Sequence, residues 1–212
     1  MNLYDDIHYN NRNALVLEHK DFLSDKAFLE FGVYEGTSML MWHGLYIANG
    51  LATSFFGFDS FQGIPLEKED LNNIPNWGVG AFNTNGRIHE RLLRIDAQLI
   101  IGFFSDSLHD VAANKLMGQK AGIVHFDCDT CSSTKTVWEW LLRYDLLVPG
   151  TLLVYDDWGG YLEAKCGEYE VGEAKAHKDM VAKHGLQLKD LGKYIVDPAF
   201  YEVKIYQYES RT

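Results

Sequence analysis

Leu186-Gln187-Leu188-Lys189-Asp190-Leu191-Gly192-Lys193-Tyr194-Ile195 and Tyr201-Glu202-Val203-Lys204-Ile205-Tyr206-Gln207-Tyr208 read as two strands joined only by Val196 to Phe200. A parallel neighbour needs a crossover of a dozen or more residues, so a link this short makes the pair antiparallel. Everything before it has a different rhythm. Short apolar runs alternate with longer amphipathic segments, the mark of βα units around a mostly parallel sheet. The two readings together give an α/β fold with a mostly parallel seven-stranded sheet closed by a C-terminal antiparallel hairpin. Ordinary dinucleotide-binding Rossmann domains do not usually finish this way.

Working back from the hairpin, the pattern predicts a polar helix from about Tyr169 to His184, after a turn at Gly159-Gly160. Strands are expected at Ala27–Phe31, Ser54–Phe58, Gln98–Phe104, Gly122–Phe126 and Thr151–Tyr155. Helices are expected within Arg12–Ser24, from Thr37 to a stop at Gly50, over Arg87–Asp96, over Leu108–Met117 and over Thr134–Leu146, the last capped by Ser132 or Ser133. Residues 62–86 break the rhythm with Pro65, Pro75, asparagines between Asn72 and Asn85, and glycines. That is too long for an ordinary βα connection, so it reads as a lid or substrate loop, partly packed through Trp77 and Phe82. Residues 1–212 are read as one domain, with no internal repeat.

Composition narrows the function classes. A hydrophobic content of 47% supports a substantial core, and no apolar run approaches a membrane span. Met1 to Asn11 is polar and acidic, unlike a signal or transit peptide, so a cytoplasmic location is expected. Thirty acidic against 19 basic residues give a formal charge of −11, which repels phosphate backbones; no nucleic-acid partner is expected. The densest basic stretch, Arg87 to Arg94, contains Glu90 and reads as a solvated face. Cys128, Cys131 and Cys166 form no disulfide framework. Cys128-Asp129-Thr130-Cys131 has the spacing of a zinc half-site but lacks two obvious further ligands, so the thiols read as incidental.

Three features carry chemistry. Glu30-Phe31-Gly32-Val33-Tyr34-Glu35-Gly36-Thr37-Ser38 spans a strand-to-helix turn whose glycines let the backbone approach a ligand. Its G-x-x-x-G spacing is not the G-x-G-x-x-G of a pyrophosphate site. Asp59 ends the second strand, 29 residues beyond Glu30, where an acid hydrogen-bonds ribose hydroxyls in Rossmann-like folds; its bland alternative is a turn aspartate. Asp127 and Asp156-Asp157 end strands that would lie about 4.8 Å apart if neighbours. Clustered carboxylates call for a proton or a cation between them, and oxygen-only ligation suits Mg²⁺, with Ca²⁺ or Mn²⁺ as alternatives. Successive strand residues face opposite ways, so Asp156 and Asp157 share an ion only if the strand bends there.

In order along the chain, Phe28-Leu29-Glu30-Phe31-Gly32-Val33, Gly57-Phe58-Asp59-Ser60-Phe61-Gln62-Gly63-Ile64-Pro65, Ile101-Gly102-Phe103-Phe104, His125-Phe126-Asp127-Cys128-Asp129 and Pro149-Gly150 through Val154-Tyr155-Asp156-Asp157 resemble the macrocin O-methyltransferase family of metal-dependent sugar O-methyltransferases. The resemblance covers about residues 27 to 160. It implies a class I methyltransferase fold, with S-adenosylmethionine held by Glu30, Gly32, Val33, Tyr34, Gly36 and Ser38 and by Asp59, Ser60 and Phe61. It also implies Gly102 and Phe103 near the adenine, and Mg²⁺ on Asp127, Asp156 and Asp157, with Asp127 beside the cofactor as well. The sequence departs from the family at Thr37, Cys128 and Thr130-Cys131, and it is short at both ends. The family's macrolide-type acceptors are therefore not carried over.

The mechanism expected is in-line methyl transfer to a metal-bound hydroxyl of a sugar, glycoside or other vicinal diol, with Asp127 or Asp129 accepting the proton. His43, His89 and His125 are helpers of lower rank, each read first as structural. A metal-dependent hydrolase using the same aspartates is the rival enzyme class. A non-catalytic S-adenosylmethionine or saccharide-binding module is the rival non-enzyme, and a nicotinamide oxidoreductase ranks last. An exposed N-terminal helix makes a homodimer an expectation. The acceptor's identity, the base, and whether both Asp156 and Asp157 ligate stay open.

Overall fold

A computed structural model describes residues 3–65, 78–158, 171–197 and 201–212. The interior of the loop expected at 62–86, the Gly159-Gly160 turn, Cys166 and the expected helix start at Tyr169 lie outside them. The chain opens with helices α1 (Leu3–Glu18) and α2 (Lys20–Leu23). Strand β1 (Ala27–Phe31), helix α3 (Thr37–Ala48), strand β2 (Phe55–Asp59) and strand β3 (Gln98–Ile101) follow. Next come α4 (Phe104–Ser107), α5 (Asp110–Lys115), β4 (Ala121–Phe126), α6 (Cys131–Arg143) and β5 (Leu152–Tyr155). Helix α7 (Gly172–His184) leads into β6 (Leu186–Asp197) and β7 (Tyr201–Arg211).

The seven strands form one sheet in the order β3-β2-β1-β4-β5-β7-β6. β1 pairs parallel with β2 and β4, β2 with β3, and β4 with β5. β7 lies antiparallel between β5 and β6, so the expected terminal hairpin completes the seven-stranded sheet with β6 at its edge. β1 and β4 are buried along their whole length, as central parallel strands covered on both faces must be. The reversal of strand order falls between β1 and β4, and open α/β sheets bind ligands in the crevice beyond such a point.

Side chains alternate between two cores. Leu29, Phe31, Val124, Phe126, Leu153 and Tyr155 pack under α5, α6 and α7. Phe28, Ile123, Leu152 and Val154 pack on the other face with Leu15, Val16, Met39 and Trp42 from α1 and α3. By that alternation Glu30 and His125, which are register partners, share the α1–α3 face.

Several boundaries differ from expectation. The first helix starts at Leu3, nine residues before Arg12, because Arg12, Leu15 and Val16 form its buried stripe and the polar turns before them only extend it outward. Residues 87–96 hold a single 3₁₀ turn, Leu92–Arg94, instead of a helix. Leu92 alone is fully buried there, so no continuous apolar stripe supports an α-helix. β3 stops at Ile101 because Gly102 turns at φ +144°, and Phe104 already begins α4. The cap of α6 is Thr130, whose hydroxyl accepts the Ser133 N–H at 3.2 Å; Ser132 and Ser133 lie within the helix. Among the described residues no helix is long and apolar enough to cross a membrane.

Candidate active site

A cavity of about 290 Å³ opens at the C-terminal edge of the parallel strands. Its walls come from the β1–α3 turn, the ends of β2, β3, β4 and β5, and the arms of the loop expected at 62–86. Gly32 makes the close approach possible. Its φ is +93°, its N–H donates to the Phe58 carbonyl at 2.9 Å, and a Cβ built on it would stand 1.7 Å from the Asp127 carbonyl oxygen. β1 and β4 therefore touch through backbone at that point, and any side chain would separate them.

Asp59 secures the same turn. Its Oδ2 accepts the Val33 and Tyr34 N–H groups, both at 2.7 Å, and its Oδ1 accepts the Phe61 N–H at 2.6 Å. The acid expected to meet a ribose thus first fixes the backbone that would cradle the ligand. It still faces the cavity, and a carboxylate with four lone-pair sites retains acceptor capacity after three such bonds. The loop arms close one flank: Gln62 bridges Asn83, the Ile64 N–H donates to the Ala81 carbonyl, and Phe82 packs edge-on against Tyr34 at 5.4 Å.

Of the residues singled out from sequence, Gly32, Val33, Tyr34, Asp59, Ser60, Gly102, Phe103, Asp127, Asp129, Asp156 and Asp157 all line this one cavity. Glu30, Gly36, Ser38 and Phe61 do not. Gly36 caps α3 in the left-handed region beneath Leu92, and Phe61 is buried. Glu30 and Ser38 belong to a polar network behind the wall. Gly63, Ile64, Pro65, Phe104, Cys128 and Ser133 complete the lining. Cys128 and Cys131 are both buried, and burial pushes the Cys128 thiol well above its ordinary range, which disfavours the thiolate.

The network behind the wall is a row of charges. His125, fully buried on β4, faces Glu30 Oε1 through Nδ1 at 3.3 Å and Asp156 Oδ1 through Nε2 at 3.2 Å. Arg12, from α1, donates to Asp156 Oδ1 at 2.7 Å and to Ser38 Oγ at 2.9 Å. Burial opposes a charge on His125, but the hydrogen bonds to Asp156 and Glu30 outweigh it and hold its pKa above normal. Burial likewise opposes charge on Asp156, yet Arg12 and His125 hold that carboxyl far below the usual range. Glu30, His125, Asp156 and Arg12 thus form one continuous chain of acidic and basic side chains.

The acids facing the cavity behave in the opposite way. Burial, with Asp156, Asp157, Asp129 and Glu30 close by, raises Asp127 well above an ordinary carboxylate. Burial and the charge of Asp156 push Asp129 up to about 7, and its backbone sits in the left-handed region at φ +59°. Among the described residues, Glu30, His125 and Asp127 bring three potential ligand atoms within 4.8 Å of one another. Both ring nitrogens of His125 already make hydrogen bonds, which leaves that trio a hydrogen-bonded cluster rather than an open cation site. Asp127, Asp156 and Asp157 all line the cavity and crowd negative charge there, but among the described residues their oxygens are not gathered within 4.8 Å of one another as a set of three.

Two residues were missed in the sequence. Glu173, fully buried on α7, accepts the Cys128 N–H on Oε1 and the Asp157 N–H on Oε2, both at 3.1 Å. One side chain so ties the ends of β4 and β5 together. Arg12 is the other. Each had a sequence signal, a charge on an otherwise apolar helical stripe: Arg12 with Leu15 and Val16, Glu173 with Ala176, His177 and Met180.

Residues 29–158 match a family model described as a methyltransferase domain. A search of curated proteins gives no match. Among solved structures, the calicheamicin methyltransferase CalS11 superposes with a TM-score of 0.67 at 19% identity, covering 92% of this chain and 77% of that one. The O-methyltransferase NovP gives 0.64 at 19%, covering 96% and 80%. TomG, an O-methyltransferase of Streptomyces achromogenes solved with SAM, gives 0.55 at 12%, covering 95% and 80%. The sheet order and terminal hairpin are those of the same fold.

Proposed function

This chain belongs to the methyltransferase-domain family, and from that premise we propose that it moves a methyl group from S-adenosylmethionine to a hydroxyl oxygen of a sugar or another vicinal-diol small molecule, with a divalent cation, Mg²⁺ first, at its carboxylates. The observation that carries this reading is a single cavity with the Gly32 turn and Asp59 at one end and Asp127, Asp129, Asp156 and Asp157 at the other. A donor and an acceptor bound there would meet without crossing any wall. CalS11 is described as a TDP-rhamnose 3'-O-methyltransferase and TomG was solved with SAM, which supports a sugar-type acceptor and this donor.

Each residue has a part. The Gly32–Tyr34 backbone, held by Asp59, and the Ser60, Gly102 and Phe103 positions would seat the donor. Asp127, Asp157 and Asp156 would hold the cation, which when bound lowers the pKa of a coordinated hydroxyl. Asp129, which lines the cavity with Asp127, is the carboxylate this reading assigns to accept the hydroxyl proton. As the oxygen–carbon bond forms, the carbon–sulfur bond breaks and the sulfonium leaves as a neutral thioether, so alignment supplies much of the acceleration. A hydrolase would leave the Gly32 turn and Asp59 without a ligand to serve.

The test pairs calorimetry with S-adenosylhomocysteine and transfer of a labelled methyl group to a panel of sugars, glycosides and catechols, with Mg²⁺ or EDTA. Asp127→Asn is expected to retain S-adenosylhomocysteine binding and to lose at least about 100-fold in transfer. Absence of S-adenosylhomocysteine binding by the wild type sinks the methyltransferase reading. Transfer unaffected by EDTA sinks the cation alone.

A further inference from the structure

A second recess, of about 390 Å³, lies at the opposite end of the strands from the active-site cavity. Ser24 and Asp25 precede β1, Leu51 to Ser54 lead into β2, and Gln119 stands just before β4, so the recess sits at the N-terminal edge of the parallel strands. Sites for small molecules commonly span about 300–1,000 Å³, which puts its size in range. Leu51, Phe55 and Tyr46 supply its apolar part, the two rings meeting edge-on at 5.2 Å between centroids. Two buried oxygens belong to its walls. Tyr46 is 1% exposed, and neither its hydroxyl nor the buried Gln119 Oε1 has a hydrogen-bond partner among the described residues. Burying such oxygens unpaired costs free energy, a cost that a phenylalanine at position 46 would avoid with the same ring. The walls present little charge. Asp25 is paired with Lys26, and burial lowers the His43 imidazole, which favours its neutral form.

We propose that this recess is a second ligand site, taking an uncharged hydroxylated ring whose hydroxyl accepts from the Tyr46 O–H and donates to Gln119 Oε1 while its apolar face lies on Leu51 and Phe55. A hydroxyl can accept and donate at once, whereas an ionised carboxylate has nothing to donate and an ammonium nothing with which to accept. Both protein oxygens are covered, so entry of the hydroxyl turns the Gln119 side chain, which is only half-buried. Sugars and phenols share this chemistry of an apolar ring face with a hydroxyl at its edge. The site is separate from the cavity assigned to methyl transfer, and no residue lines both.

The experiment follows backbone amide chemical shifts of the full chain as methyl α-D-glucopyranoside or phenol is added, so that each site is read by position. Saturable shifts at Ser24, Thr53 and Ser54 are expected with at least one of the two probes. Saturation by the glucoside assigns a sugar site, and saturation by phenol a phenol site. Anisole, which keeps the ring of phenol and lacks its O–H, serves as the control for the second case. Tyr46→Phe removes only an unpaired oxygen and should fold as the wild type does; its affinity for the bound probe should fall about five- to tenfold. Ala52→Trp places bulk in the recess wall from an exposed position and should abolish the shifts. No saturable shift at these residues with either probe overturns the proposal, as do shifts confined to the Gly32–Tyr34 turn. Undiminished binding by Tyr46→Phe, or anisole binding as tightly as phenol where phenol is the ligand, also overturns it, because the hydroxyl contact would then be absent.

Discussion

At the scale of single residues, the site depends on atoms that leave no tolerance. Gly32→Ala puts a methyl group where the Asp127 carbonyl stands, at a φ that L-residues rarely adopt. The variant is expected to lose about 3 kcal/mol or more in urea unfolding and to lose S-adenosylhomocysteine binding by calorimetry. Glu173 is a different case, because the fault lies in polarity and not in volume. Glu173→Gln keeps the shape but turns an NH₂ toward one of two buried N–H donors. A cost of about 1–3 kcal/mol is expected by the same unfolding measurement, together with a fall in kcat larger than any change in KM for the donor. An unchanged kcat would reduce Glu173 to a purely structural clamp. Glu173 itself is pushed well above the ordinary range by burial, against the pull of its two backbone hydrogen bonds.

At the scale of elements, the ends of strands and helices decide the chemistry. α6 starts directly after the candidate base Asp129, and its cap Thr130 also sets where that base stands. Thr130→Ala is expected to cost about 1 kcal/mol, read from the shift of the urea midpoint at constant slope, whereas Ser132→Ala should stay within about 0.5 kcal/mol. A larger loss at Ser132 would return the cap to the position first expected from sequence. α7 contributes from the other side: its Gly172 lies so close to the 127–129 turn that an added Cβ would stand 2.9 Å from the Asp129 carbonyl. The hairpin matters as an element too. β7 covers the edge of β5, and the Glu202 carbonyl accepts the Trp158 N–H at 3.2 Å just beyond Asp157.

At the scale of the whole molecule, the buried titratable groups pull stability in opposite directions with pH. His177, packed against Tyr206, Trp158 and Tyr155, is lowered by burial, and further by Lys204, from 6.5 to about 4. In the unfolded chain it takes a proton near pH 6.5, while in the native state it stays neutral down to about 4. The unfolded state therefore binds more protons across that window, and stability is lost as pH falls through it. The stability difference between the wild type and His177→Gln should shrink by up to about 3 kcal/mol between pH 7 and pH 4, by urea unfolding across that range. A difference independent of pH would show that His177 takes up its proton over the same pH range in the native state as in the unfolded chain. Asp129 works against this trend, since a carboxyl raised to about 7 binds its proton earlier in the native state.

What the sequence determined by itself is what local pattern can encode. Period and turn residues put the seven strands in place, and the short link after β6 made the sheet end antiparallel. Gly32, Asp59, Asp127, Asp156 and Asp157 were legible because they stand at strand ends, where the fold gathers ligands whatever the rest of the chain does. Residues 87–96 and the cap of α6 were misread because their outcome depends on packing: one buried leucine in the first case, the geometry of the preceding turn in the second. Only the tertiary structure decided the partners of Asp156 and Asp157. Arg12 meets Asp156 across 144 positions of chain, and Glu173 meets Cys128 across 45. Such pairs exist because burial in a low-dielectric interior forces each charge to find a partner, and the partner is chosen by which elements the sheet brings together, not by spacing along the chain.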